Sequence, residues 1–413
     1  MCCAAYASNM TGWNPPSFTA ASTDRENELV RRAAELVPLL RDNADKAEQE
    51  RRLTDEAVTR LEDEELLSLF VPQRFGGPQA GLATLTRVSA ELGRGCGSTG
   101  WASMIMSTMG WIVAQFPEQA QDDVWGETNK ARACGSIIGK QCTATRVDGG
   151  VIVSGSWPFT TGSLHAQWVI VGFGVLNADG EMEILDGLIP ISEVQIADTW
   201  HVAGMKATGS NTTVVDSVFI PDYRISKAED RRTDEVRMAP DSGVEAPYRS
   251  SFLPFLVTTG IGPCLGIATG AIQHALETLP KRSISYTNYA RASDAPTVQA
   301  ALAEATAKVD AAYLIGYRNA VQIDEWATAR KPMPPMERAR IRRDVGFACR
   351  LTREAVNVLL DASGAGSFAS ANPLQRMWRD LEVITRHGML VPALNADIYG
   401  RAVFGATPIS SIG

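Results

Sequence analysis

Gly155-Ser156-Trp157-Pro158-Phe159-Thr160-Thr161-Gly162-Ser163-Leu164-His165-Ala166-Gln167-Trp168 puts two indoles, a phenyl ring, four hydroxyls and an imidazole within fourteen residues. The text on either side is β-like. Val151-Ile152-Val153 follows the turn signal Asp148-Gly149-Gly150, and Trp168 to Phe173, Ile184 to Pro190 and Thr212 to Ile220 alternate in strand fashion. Short strands at this spacing predict a small barrel or sandwich. Rings supply stacking area while hydroxyls and backbone amides reach polar ring atoms, so the stretch suits a planar heteroaromatic ligand. It equally suits a barrel loop whose aromatics fill a core.

Both flanks are helical. Arg25 to about Ala44 carries apolar residues at helical spacing, Thr54 and Asp55 cap a stretch ending near Phe70, and helical text returns over Leu82–Leu92 and from Ser98 to Gln115. Downstream, Val298, Leu302, Ala305, Val309, Ala312 and Gly316 recur every three or four residues, as do Ile341, Val345, Ala348, Thr352, Val356 and Leu359. Such stripes belong to a helix bundle. The expected organisation is a flexible arm over 1–23, a helical domain over 24–132, a β-barrel over 133–225, a charged surface linker over 226–247 and a helix bundle over 248–413.

Composition removes several function classes. The 413 residues carry a net charge of -8, and no block of Lys or Arg could track a phosphate backbone, so no nucleic acid is expected. No apolar run approaches the roughly 20 residues of a membrane helix. No basic and apolar leader opens the chain, and the expectation is a cytoplasmic protein with no membrane contact. Seven scattered cysteines without a C-x-x-C pair read as reduced thiols. Gly95-Cys96-Gly97-Ser98-Thr99-Gly100 matches G-x-G-x-x-G, yet a dinucleotide fingerprint must follow a strand and here helical text precedes it. No G-x-S-x-G elbow or paired histidines support a serine hydrolase or a metal site.

A second cluster lies near the end: Arg376-Met377-Trp378-Arg379-Asp380, then Arg386-His387, then Asn395 and Tyr399-Gly400-Arg401. Asp380 and His387 are seven apart and would share a face on a continuous helix. A histidine in such company can act as a base near neutral pH, or simply be a satisfied core or surface histidine.

The order of these pieces, with Asp198-Thr199-Trp200-His201-Val202-Ala203-Gly204-Met205-Lys206-Ala207-Thr208-Gly209-Ser210 between them, resembles the acyl-CoA dehydrogenase superfamily over roughly residues 25–410. The nearer likeness is to its oxygen-using branch, the group D two-component flavin-dependent monooxygenases of the 4-hydroxyphenylacetate 3-hydroxylase oxygenase type. The resemblance implies an α+β, mainly α fold: an N-terminal helical domain, a central small β-barrel and a C-terminal helix bundle. It implies reduced FMN or FAD delivered by a separate flavin reductase, O2, a C4a-hydroperoxyflavin, and hydroxylation of a phenol- or indole-type substrate by a homotetramer. Trp157, Thr160, Thr161 and Ser210 would lie against the flavin, and Arg282 would reach its phosphates across a subunit interface. Thr160 or Thr161 would hold the peroxide, and His387 would deprotonate or hydrogen-bond the substrate hydroxyl. Trp101, Phe159 and Asp380 are assigned to the substrate, and His165 to the substrate or to the barrel loop alone. The dehydrogenases' Glu-Gly-Thr segment is missing, with Arg386-His387-Gly388-Met389 in its place. An amine N-oxygenase is the alternative within the same architecture; a thioester desaturase and a scaffold without cofactor come from other classes.

Overall fold

The computed structural model describes residues 13–16, 23–137, 139–177, 179–240, 242–407 and 409. Most of the expected arm over 1–23 lies outside the described residues. Within it, Trp13 is seated on the bundle, its indole N–H donating to Asp310 Oδ1 at 3.1 Å.

The N-terminal helices are α1 (Asp24–Glu35), α2 (Val37–Glu50), α3 (Asp55–Asp63), α4 (Leu82–Gly95), α5 (Gly97–Val113) and α6 (Glu118–Trp125). Thr23 opens α1 with a reciprocal capping box to Glu26, and Thr54 caps α3 by accepting from Ala57 N. α3 stops at Asp63 rather than near Phe70, because Glu65 turns into the left-handed region at φ 61°. The G-x-G-x-x-G match falls at the α4–α5 junction, helix to helix, with no strand before it.

Two four-stranded sheets follow. One has the order β1 (Ala133–Ser136), β4 (Trp168–Leu176), β5 (Met182–Pro190), β8 (Ile225–Lys227); the other has β2 (Lys140–Val147), β3 (Gly150–Thr160), β7 (Asn211–Pro221), β6 (Gln195–Ala197). Their inward faces share one core containing Val151, Val153 and Trp157 from the second sheet and Val169, Val171 and Leu185 from the first. Alternation of side chains along each strand produces that face. β2 was not anticipated; its Thr and Arg positions blur the pattern, but it pairs antiparallel with β3 across Asp148-Gly149. β3 also runs further than expected, carrying the opening motif's first half as strand through Thr160.

The segment 226–247 differs from a solvated linker. It forms β8 and the short helices α7 (Ala228–Arg232) and α8 (Asp234–Met238). Three of its charges are buried in ion pairs, Arg231 with Asp186, and Asp234 with both Arg237 at 2.9 Å and Arg338 at 2.8 Å, while Lys227, Glu229, Asp230 and Glu235 stay exposed. Mutual neutralisation lets a charge-dense stretch pack inward.

The bundle comprises α9 (Phe252–Thr259), α10 (Ile261–Thr278), α11 (Pro296–Thr328), α12 (Pro335–Ser363), α13 (Pro373–Ile384) and α14 (Pro392–Val403). Phe252–Lys281, which spans α9 and α10, is long and apolar enough to cross a membrane; its 18-residue window of mean hydropathy 1.6 is 94% buried inside the fold. This corrects the expectation that no apolar run approaches membrane length. α10 lies close against α4, and a Cβ on Gly266 would stand 2.1 Å from the Ala90 carbonyl oxygen. On α11 and α12 the two stripes named above face the core, with only Leu302 half-buried.

Candidate active site

A cavity of about 720 Å³ opens where the sheets meet both helical layers, a size usual for small-molecule sites. α5 supplies Trp101, Met104 and Met109; the end of β3 and its turn supply Phe159 and Thr161. The 198–210 loop supplies Trp200, Met205, Thr208 and Ser210, and the bundle supplies Leu253, Leu256, Arg342, His387 and Met389. Most of this wall is apolar, so its few polar groups carry the chemistry.

Three of them form a directed relay. Thr208 Oγ1 donates to the Met205 carbonyl at 2.9 Å, Thr208 and Ser210 hydroxyls lie 2.7 Å apart, and Ser210 and Thr161 hydroxyls 2.7 Å apart. Each hydroxyl has one proton. Thr208's is spent on Met205, so Ser210 donates to Thr208 and Thr161 donates to Ser210. The Thr161 oxygen is left facing the cavity as an acceptor.

The turn that presents Thr161 is strained. Phe159 sits at φ 62°, and its ring, exposed at the cavity, meets Trp200 edge to face at 5.9 Å. A bulky residue held there marks a position the surroundings over-determine. Met205, on the facing loop, sits at φ 57°, and its N–H donates to Asp380 Oδ1 at 2.5 Å. The same loop is strapped by Arg379 to the Ala203 carbonyl and by a two-pronged Arg51–Asp198 pair at 2.6 and 2.7 Å. A Cβ on Gly204 would lie 2.3 Å from the Arg379 carbonyl, so only glycine permits this approach.

His387 stands just beyond α13. Its ring is open to the cavity yet enclosed by protein, and that enclosure lowers its pKa below the ordinary imidazole value. Trp101 packs against it edge to face, centroids 5.6 Å apart. Met389 N donates to Nδ1 at 3.3 Å, which assigns the ring proton to Nε2. Neutral His387 is thus a hydrogen-bond donor at Nε2.

Of the residues singled out from the sequence, Trp101, Phe159, Thr161, Ser210 and His387 come together on this wall. The others do not. Trp157 is wholly buried between the sheets, its indole N–H donating to the Gly172 carbonyl at 2.9 Å. Thr160 turns into the same core, bonded to the Trp157 carbonyl at 2.8 Å and the Thr213 hydroxyl at 3.1 Å. His165 is buried away from the cavity, and burial, with Arg52 and Arg132 adding, pushes its pKa down to about 4. Its substrate role gives way to the barrel-loop reading. Asp380 does not line the cavity either; α13 ends at Ile384, so Asp380 and His387 share no helical face, and Asp380 braces Met205 instead. Burial raises its pKa to about 6. Arg282 lies between α10 and α11, partly buried, and donates to the Ser363 carbonyl.

Sequence reasoning missed Arg342. It is 8% exposed, lines the cavity, and donates through Nε to Asn395 Oδ1 at 3.0 Å. Asn395, noted in the sequence without a role, passes the connection to the His387 loop by donating from Nδ2 to the Met389 carbonyl at 2.9 Å.

Comparison with known proteins gives the same architecture a lineage. Residues 23–127 match the acyl-CoA dehydrogenase N-terminal domain and 260–392 the acyl-CoA dehydrogenase C-terminal domain. The oxygenase subunit HsaA, a flavin-dependent monooxygenase of Mycobacterium tuberculosis, is 35% identical over 90% of this chain and 94% of its own. The p-hydroxyphenylacetate 3-hydroxylase oxygenase component of Acinetobacter baumannii is 31% identical over 92% of this chain and 90% of its own. The structure of XiaF from Streptomyces sp., in complex with FADH2 and glycerol, superposes with a TM-score of 0.88 at 34% identity, covering 93% of this chain and 97% of that one. The chain belongs to the acyl-CoA dehydrogenase family, in its branch of flavin-dependent monooxygenase oxygenase components.

Proposed function

We propose that the cavity receives reduced flavin together with an aromatic substrate and that the protein hydroxylates the ring. The observation carrying this reading is the pairing, in one largely apolar cavity, of an acceptor-only Thr161 oxygen with a donor-only His387 Nε2. A reduced isoalloxazine has an N–H donor and a planar apolar body, which fit Thr161 and the Phe159–Trp200 pair. When bound, reduced flavin supplies the two electrons that split O2, one oxygen atom entering the substrate and the other leaving as water.

The chain's own residues do the rest. Thr161, with Ser210 and Thr208 behind it, would hold the flavin's N–H. His387 would donate from Nε2 to the substrate hydroxyl at the reacting end, and it does not begin as a base. Trp101, Met104 and Leu253 exclude water, which strengthens both hydrogen bonds. No carboxylate lines the cavity among the described residues, which leaves a thioester desaturase without its base. A separate reductase supplies the flavin, and a homotetramer with Arg282 reaching a neighbour's flavin phosphate belongs to the same reading. The exposed Tyr286 and Tyr289 beside Arg282 support an interface there.

The test supplies reductase-generated FMNH2 or FADH2 with 18O2 and a panel of phenols and indoles. Labelled hydroxylated product, with flavin oxidation slowed by the protein, is expected. Oxidation at the rate of free flavin, yielding only hydrogen peroxide, overturns the reading.

A further inference from the structure

The cavity has an uncompensated positive charge. Its charged lining residues are Arg342 and Arg386, and Arg386 is paired with Glu382. Arg342 makes no ion pair among the described residues; only its Nε is engaged, by a neutral amide. The two terminal nitrogens, which form the fork that matches a carboxylate, have no partner among the described residues. A cation buried to this degree is costly unless an anion joins it. Asn395 fixes the guanidinium from behind and holds the His387 loop by its other end, so the charge is set at a defined offset from Nε2 of His387.

We propose that Arg342 binds a carboxylate on the aromatic substrate, so that the preferred substrates are aromatic acids. This rests on the function proposed above, and it deepens that reading by naming the substrate class. An ammonium substrate is repelled from the same place, which disfavours the amine N-oxygenase. Reduced flavin also carries anionic groups, its phosphate above all, and these are the competing source of the same chemistry.

Equilibrium dialysis on the full-length protein separates the two. The probes are 4-hydroxyphenylacetate, 4-hydroxyphenylacetamide and tyramine, and indole-3-acetate with indole-3-acetamide, each with and without FMN. The acids should bind at least about tenfold more tightly than their amides, and tyramine worst. Arg342→Met should erase that preference, Arg342→Lys should keep part of it, and FMN affinity should change less than about threefold in both. Acids and amides binding equally to the unaltered protein, or neither binding, overturns the proposal. So does a fall in FMN affinity with the acid preference intact, which would give Arg342 to the flavin. Because dialysis needs no oxygen chemistry, failure to hydroxylate leaves this result standing or falling by itself.

Discussion

The indole of Trp101 meets the imidazole of His387 edge to face, ring centroids 5.6 Å apart, and so a residue of α5 fixes the orientation of a donor 286 positions later in the chain. Removing the donor should be expensive for chemistry and cheap for binding. His387→Ala is expected to lower hydroxylated product by about a hundredfold or more, with FMN affinity within about threefold. Electrons should then drain to hydrogen peroxide. His387→Gln, which retains an N–H donor, should recover part of the product yield; equal yields from Ala, Gln and the parent protein would remove the role.

Thr160 and Thr161 are adjacent and chemically identical, yet they face opposite sides, so they make a paired test. Thr160→Val breaks two buried hydrogen bonds and should cost about 1–3 kcal/mol of stability, with the ratio of product to peroxide unchanged. Thr161→Val should do the reverse: urea midpoints near the parent value, but more peroxide per flavin oxidised. The reverse pattern, with coupling lost in Thr160→Val, would show that the relay has been placed on the wrong threonine.

The contrast between those two threonines also shows what sequence could reveal. The strands of the barrel and the stripes of α11 and α12 were legible because burial imposes a period of two or of 3.6 on the text. Which of two neighbouring hydroxyls faces the ligand was not, since the β3–β7 register shifts between Trp157 and Thr160 and such a shift exchanges faces. Trp157 reads as a stacking ring because an indole in a core and an indole on a ligand look the same in sequence. Helical spacing ties Asp380 to His387 in sequence, but the helix ends between them. Arg342 sits among Arg338, Arg340 and Arg343, where it reads as one more solvated cation. Only the partner 53 residues away, Asn395, distinguishes it.

Asp380 supports the 198–210 loop through a single acceptor. Asp380→Ala leaves the Met205 N–H unsatisfied at a strained position and should destabilise the protein by roughly 1–3 kcal/mol while weakening FMN binding. Asp380→Asn keeps an acceptor oxygen and avoids ionising a buried carboxyl whose pKa has risen to about 6. At pH 7 it should match or exceed the parent protein in thermal stability. If Ala and Asn variants unfold alike, the hydrogen bond to Met205 is not what holds the loop.

His165 should make the fold acid-sensitive. The folded protein holds it near pKa 4, whereas the unfolded chain takes up the proton near 6.5. The contribution is therefore complete above about pH 6.5 and is lost as pH falls toward 4, by roughly 3 kcal/mol at most. Urea titrations at pH 7 and pH 4.5 should show a smaller acid loss in His165→Asn than in the parent protein. Identical losses would mean that other groups govern the acid limb.

The cavity lies on a seam between separately packed parts. The barrel side contributes Phe159, Thr161 and the loop to Ser210, while the bundle side contributes Leu253, Leu256, Arg342 and Met389. Substitutions at Leu253, Leu256 or Arg342 can therefore reshape what is admitted without disturbing the hydroxyl relay across the gap. Such a division lets the side that carries the hydroxyl relay be inherited unchanged while the facing side diversifies, and it makes the α9–α12 face the place to begin when redirecting this protein toward a new ring.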